Sequence, residues 1–398
     1  MSTVESVDRI EPARLEDAPV AITDVVAELA ARAATLGAAL QPRTASNLAD
    51  LVRIMNTYYS NLIEGHNTRP RDIERALSGE LDRDEERRHL QLEARAHVRV
   101  QAEIDRRFTE GQLPDPTSSE FILHLHREFY RDAPAPMLRI RGAGREFTME
   151  PGRWRSTPEH DVAVGQHLPP SSERVPDFMR HFERRYRQEG LGKGARILAL
   201  PAAHHRLNYI HPFPDGNGRV SRLMSHAMAH TAGIGAYGLW SVSRGLARGL
   251  ESRGEYKGMM DYADTPRQSD LDGRGNLSLR SLTEFTLWFL RVCLDQVNFM
   301  SGLFEIETLS KRFKKYVEQS EALHPESSRL IEEALIRGEF ERGEISRITG
   351  MPERTARRVL NDVLKEGLLA STTPKGPVSM RFPTGALEAL FPRLYVQT

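Results

Sequence analysis

The sequence predicts a mainly α-helical protein with a small β-hairpin and a C-terminal winged helix-turn-helix. Three observations support that class. Apolar residues recur at helical spacing along most of the 398-residue chain. Proline, glycine and short β-prone pieces gather between Ala133 and Pro176. Beyond Pro325 the chain reads as three short helices followed by strand, turn and strand.

Each element follows from local chemistry. Residues 1–20 are acidic and proline-broken, and read as a flexible tail. Residues 22–40 are alanine-rich with helical spacing. From Thr44 to Glu64, the residues Leu48, Leu51, Val52, Met55, Tyr59 and Leu62 share one stripe, and Gly65 supplies a stop. Residues 70–107 read as mostly helical, with Asp82–Arg88 as a solvated face laced with i,i+4 pairs. The loop 112–117 (QLPDPT) precedes a helix over 118–131. Asp161–Gln166 is β-prone and is followed by Pro169-Pro170. Helices are expected again over 175–188, 194–210, Arg219 to about His230, and 283–317. The tail then offers Ser327–Arg337, Arg342–Thr349 and Pro352–Glu366, with strands on either side of Pro374–Pro377. The expected domains are a tail (1–20), a helical region (21–110), a core (111–317) and the winged helix (325–398).

Composition narrows the function classes. Lys+Arg and Asp+Glu both number 55, so no global field points to nucleic acid or acidic membrane. Cys293 is the single cysteine, which excludes an internal disulfide and a thiolate metal cluster and suggests a reducing compartment. No apolar h-region opens the chain, and no run reaches about 18 apolar residues. A cytoplasmic protein without a membrane span is the expectation.

Residues 211–222, HPFPDGNGRVSR, carry the chemistry. A loop entering a helix N-terminus is a ready anion site, because orphan N–H groups and the helix dipole both face it. Gly216 and Gly218 let backbone approach without a Cβ clash, and Asn217 offers an amide donor. Asp215 offers a hard carboxylate suited to Mg²⁺ beside phosphates. Arg219 and Arg222, three apart, are expected on one helix face as a phosphate fork. His211 has a side chain of near-neutral pKa suited to taking a proton from a hydroxyl. Phe213 reads as an apolar anchor for the loop. No Walker A pattern is present.

This dodecapeptide resembles, without departure, the signature of the Fic (filamentation induced by cAMP) domain family. Ala203-His204 through Tyr209-Ile210 resemble the helix that leads into it, and the likeness extends over roughly residues 45–315. The resemblance implies a Fic-type helical bundle and transfer of AMP from ATP, with Mg²⁺, to a Ser, Thr or Tyr hydroxyl of a protein, self-modification included. His211 would be the general base and Asp215 the metal ligand. Gly216, Asn217 and Gly218 would form the anion nest, with Arg219 and Arg222 on the phosphates. Ser60-Asn61-Leu62-Ile63-Glu64-Gly65 resembles the family's N-terminal inhibitory helix, expected at about 44–65. Glu64, one turn from Ser60, would then pair with Arg222 and hold ATP in an unproductive pose, and in some relatives the same glutamate supports removal of AMP. Pro151–Pro170 resembles the family's target-docking flap, with Val162, Val164 and Gln166 as edge positions. Tyr256 is a candidate for the adenine pocket.

Other readings stay open beside this one. His226 and His230 are i,i+4 on a helix, but no His-Glu-x-x-His pattern or evident third ligand accompanies them, so core or surface histidines are expected. Arg354, Arg357 and Arg358 on the last long helix allow DNA binding, yet Glu353, Asp362 and Glu366 share that helix, which favours protein docking or a homodimer. The alternatives are a DNA-binding regulator with a nucleotide-sensing core, or the same transferase with another donor.

Overall fold

The structure, a computed structural model, describes residues 5–142, 145–165 and 167–395. They form two compact units: Met1–Ala34 with Asn56–Gln296, and Thr35–Met55 with Val297–Thr398. In chain order the helices are α1 (Val20–Thr35), α2 (Pro42–Ile63), α3 (Pro70–Leu77), α4 (Glu85–Thr109) and α5 (Ser119–Tyr130). A hairpin of β1 (Arg139–Gly142) and β2 (Arg145–Thr148) follows. Next come α6 (Val175–Tyr186), α7 (Lys193–Ile210), α8 (Asn217–Thr231), α9 (Val242–Arg248), α10 (Glu255–Ala263), α11 (Leu279–Phe304) and α12 (Ile306–Gln319). The C-terminal part holds α13 (Ser327–Arg337), β3 (Glu339–Phe340), α14 (Ile345–Thr349), α15 (Glu353–Lys365), β4 (Leu369–Ala370), β5 (Val378–Met380) and α16 (Leu387–Leu390). No helix among the described residues is long and apolar enough to cross a membrane.

The first unit is built around α7 and α8. Both are buried over most of their length, so neither shows the one-sided stripe of a surface helix. Helices α4 and α5 pack on α8, and α6 packs on α7. The chain enters this unit along a segment whose composition suggested a loose tail, and the described part of it is core. Ile10 and Ala13 are fully buried, because Arg206 on α7 donates to the carbonyls of Ile10 (3.0 Å) and Pro12 (3.0 Å).

The second unit packs α13 against α12, α14 and α15. Its sheet has the order β3-β5-β4, antiparallel throughout. Leu330, Ile331, Leu335, Val359, Leu360 and Val363 are its buried apolar face. The Thr44 hydroxyl, from the N-terminal half of α2, donates to the Leu335 carbonyl at 3.1 Å.

Three stretches differ from expectation. Residues 70–107 are mostly helical, as α3 and α4, but Asp82–Arg88 is no continuous helical face: Asp84 is an N-cap whose side chain accepts from Arg87 N at 2.9 Å. The helix expected over 283–317 breaks at Glu305, whose backbone is extended (φ −62°, ψ 123°). The regular hairpin pairs 139–142 with 145–148, whereas the described residues 161–165 form no strand, and Val164 and His167 make only an isolated bridge. Among the described residues Val164 bridges only His167, and β-propensity without a neighbouring strand builds no ladder. Gln166 lies outside the described residues.

Candidate functional site

The loop between α7 and α8 is held before any ligand arrives. His211 ends α7 in a left-handed conformation (φ 50°, ψ 59°), and Gly216 (φ 81°) turns the chain into α8. Asn217 clamps the loop: its Nδ2 donates to the Phe213 carbonyl (2.8 Å) and its Oδ1 accepts from Phe213 N (2.9 Å). The amide expected to reach a phosphate is therefore engaged with the loop itself. Phe213 is the anchor expected, fully buried, stacked on His126 (ring centroids 3.9 Å apart) and packed on Trp154. Arg155 is wholly buried and donates to the carbonyls of His211 (2.7 Å), Pro170 (2.9 Å) and Ile210 (3.2 Å).

This loop opens on a cleft of about 1120 Å³ lined by His211, Gly218, Arg222, Glu64, Tyr256 and Val164. Burial and the neighbouring Arg155 charge push the His211 imidazole down to about 4, below the near-neutral value its residue type suggests. It is therefore an unprotonated base at neutral pH.

Asp215 keeps a side chain 45% exposed, while its Oδ2 accepts from Tyr130 Oη (2.7 Å) and Arg219 Nη2 (2.9 Å). Burial pushes this carboxyl up, but the Arg219 charge and the Tyr130 hydrogen bond outweigh it and hold it below the ordinary range. An ionised, partly exposed, well-oriented carboxylate fits a hard divalent cation.

The two arginines do not form the fork that their spacing suggests. Arg219 is buried away from the cleft lining, with Nη1 2.8 Å from Glu93 Oε1 and its guanidinium over the Phe129 ring. Carboxylates from Glu93 and Asp215 flank it and balance its charge. Arg222 lines the cleft and is occupied otherwise: Nε donates to Ser60 Oγ (2.9 Å), and Nη2 donates to Ser60 O (3.2 Å) and Glu64 Oε1 (2.6 Å). Burial raises the Glu64 carboxyl, yet the Arg222 and Arg219 charges prevail and keep it ionised. Glu64 lies so close to Gly218 that a Cβ there would come within 2.4 Å of Oε1. The glycine that opens the anion nest is also what lets this carboxylate sit against it.

The remaining expected residues are spread out. Val164 is 43% exposed at the cleft edge, and it and His167 exchange both main-chain bonds at 3.0 Å. Val162 is half-buried and does not line the cleft. Tyr256 lines it, with Oη 2.8 Å from His204 Nε2. Sequence reasoning missed Glu93, Tyr130, His126 and Arg155. All four act on motif residues from distant positions, and only contact geometry marks them.

Residues 116–229 match the model of the Fic/DOC family. "Protein adenylyltransferase Fic" of Nematostella vectensis is 38% identical over 95 residues, which cover 23% of this chain and 21% of that one. The protein of the same name from Drosophila erecta is 34% identical over 112 residues, 28% of this chain and 19% of that one. The matched region thus spans about a fifth of the length of these curated relatives. Among solved structures, a Fic family protein from Desulfovibrio desulfuricans aligns with a TM-score of 0.52 at 18% identity, covering 92% of this chain and 98% of that one. A Fic domain containing signaling protein from Bacteroides thetaiotaomicron aligns with a TM-score of 0.51 at 18% identity, covering 70% and 97%. These two likenesses concern the fold.

Proposed function

We propose, from the match of residues 116–229 to the Fic/DOC family model, that the chain is a protein adenylyltransferase held in check by Glu64. It transfers AMP from ATP to a Ser, Thr or Tyr hydroxyl of a protein, its own chain included, and releases pyrophosphate. The observation that carries the reading is the placement of an unprotonated His211 and of Gly218, in the first turn of α8, in the lining of one cleft.

The chemistry follows from these positions. The acceptor oxygen forms a bond to the α-phosphorus as the bond to the pyrophosphate oxygen breaks. His211 takes the hydroxyl proton, help worth roughly 10²–10⁴-fold. Backbone N–H groups at the start of α8 stabilise charge on the phosphate oxygens. Arg222 binds the terminal phosphates once Glu64 leaves it, while Arg219 positions Asp215. Asp215 would hold Mg²⁺, which when bound neutralises phosphate charge. Main-chain groups around Val164 receive the target segment by strand addition, and Tyr256 borders the base. In the resting state the Glu64 carboxylate fills the place of a phosphate on Arg222.

The test is label transfer to protein from ATP carrying the label on either the α- or the γ-phosphate, using Glu64→Gly. AMP transfer delivers the α label and leaves the γ label in pyrophosphate. Delivery of the γ label would make the chain a kinase, and delivery of neither would remove ATP as donor. UTP, GTP and a phosphocholine donor run in parallel decide the donor, and loss of bound label on adding back wild type reads the reverse reaction.

A further inference from the structure

The second half of α8 carries a cluster that AMP transfer does not use. His226 and His230 stand one turn apart, and α4 brings Asp105 to both of them. Asp105 Oδ1 lies 2.6 Å from His226 Nε2 and 2.8 Å from His230 Nε2, and the two ring nitrogens are 3.2 Å apart. The side chains are 8%, 7% and 1% exposed. Asp105 is the third member of the cluster that sequence spacing did not reveal, lying 121 residues before His226.

Hydrogen bonding alone fits this geometry badly. Both imidazoles aim Nε2 at one carboxylate oxygen and at each other. Two N–H donors converging on that one oxygen would crowd their protons side by side. A metal ion removes the conflict, because each Nε2 then presents a lone pair. Zinc–nitrogen bonds of about 2.0–2.1 Å in a tetrahedron place neighbouring donors roughly 3.3 Å apart. The two histidines already stand at that spacing, and the carboxylate has to recede by roughly half an ångström to join them.

The surroundings are those of a built site. The loop after α8 holds Ala236 (φ 44°) and Tyr237 (φ 54°) in left-handed backbone, between Gly233 and Gly238 in the same region. Such residues persist where packing over-determines them. Here the loop closes on the cluster: a Cβ at Gly235 would fall 2.3 Å from His230 Nδ1, and one at Gly238 would fall 3.2 Å from Asp105 Oδ2. Phe108 stacks on the His230 ring at 4.6 Å. A void of about 10 Å³ borders His226 and Ser225, about the room one water needs.

We propose that Asp105, His226 and His230 bind a divalent transition ion of the zinc class, which fastens α4 to α8. Two imidazoles and one carboxylate select such an ion over Mg²⁺ or Ca²⁺. The second carboxylate oxygen or a water completes the coordination. The site is structural: α4 also carries Glu93, the partner of Arg219, so the ion holds the scaffold on which the nest rests. The inference does not depend on the reading of the cleft.

The experiment uses the full chain, purified without chelator or metal-affinity resin. Elemental analysis by mass spectrometry should find one equivalent of zinc per chain after gel filtration. His226→Gln and His230→Gln should each retain less than a tenth of that, with folding checked by circular dichroism. Exchange of Co²⁺ into wild type should give the intense visible bands of a four-coordinate site, a readout that needs no variant. Wild type that holds neither zinc nor Co²⁺ after incubation with either ion overturns the proposal, as does a folded His226→Gln that keeps its full equivalent.

Discussion

In the loop 211–216, Asn217 bonds Phe213 through both amide atoms, and Arg155 ties down the carbonyls of Ile210 and His211 where the loop begins. In the segment 161–168, facing the same cleft, one pair of main-chain bonds joins Val164 to His167, and Leu168 is 66% exposed. His167 anchors that segment near one end, with Nε2 2.8 Å from the Tyr209 carbonyl and Nδ1 3.1 Å from Asp264, and Asp161 accepts from Ser172 N (2.7 Å) at the other. Under the proposed function the contrast suits two tasks. Atoms that meet a phosphorus must be set before substrate arrives, since small misplacements cost rate. Backbone that receives varied protein segments gains from an open edge.

The contrast breaks first at His211. In the Glu64→Gly background, His211→Ala should lower AMP transfer by roughly 10²–10⁴-fold, measured as initial rate, with ATP affinity little changed. Glu64→Gly alone should raise the wild-type rate. A charge-assisted hydrogen bond of about 1.5–3 kcal/mol corresponds to release by roughly 10–100-fold. An unchanged rate would mean that the Glu64–Arg222 pair does not restrain the enzyme.

Asn217→Ala strips partners from a buried N–H and a buried C=O. It should destabilise the first unit by about 1–3 kcal/mol, seen as a lower unfolding temperature, and should reduce kcat more than ATP binding. Acid tests the same clamp. Burial pushes His126 and His211 down to about 4 from 6.5. Their stabilisation is full above the unfolded value and is lost as pH falls through the folded one, because only the unfolded chain takes up protons in between. Fluorescence of Trp154, packed on Phe213, should report loosening between pH 6.5 and 4. The smallest effect belongs to the open edge. Val164→Pro removes the N–H bonded to His167 O, and should raise KM for the protein acceptor by roughly 2–10-fold while leaving KM for ATP alone. An equal rise in both would make the segment part of the nucleotide site.

The motif could be read from residue types because its chemistry is local. Base, carboxylate, glycines and arginines sit within twelve consecutive positions. Most helices were readable for a similar reason, since stripes and caps repeat within a few turns. What stayed hidden depends on partners far along the chain. Nothing near Arg219 says that Glu93 and Tyr130 will draw it and Asp215 together. Ile10 reads as tail until Arg206 on α7 is seen to hold its carbonyl. The break at Glu305 carries no proline, and Gly302 three residues earlier lies within α11. The strand expected at Asp161–Gln166 failed because β-propensity without a partner strand decides little.

One measurement bears most directly on the account: protein labelling from α-labelled ATP by wild type, Glu64→Gly, and Glu64→Gly with His211→Ala, side by side. The account predicts weak labelling, strong labelling and none. Equal labelling by all three would contradict it, because neither the brake nor the base would then belong to the reaction.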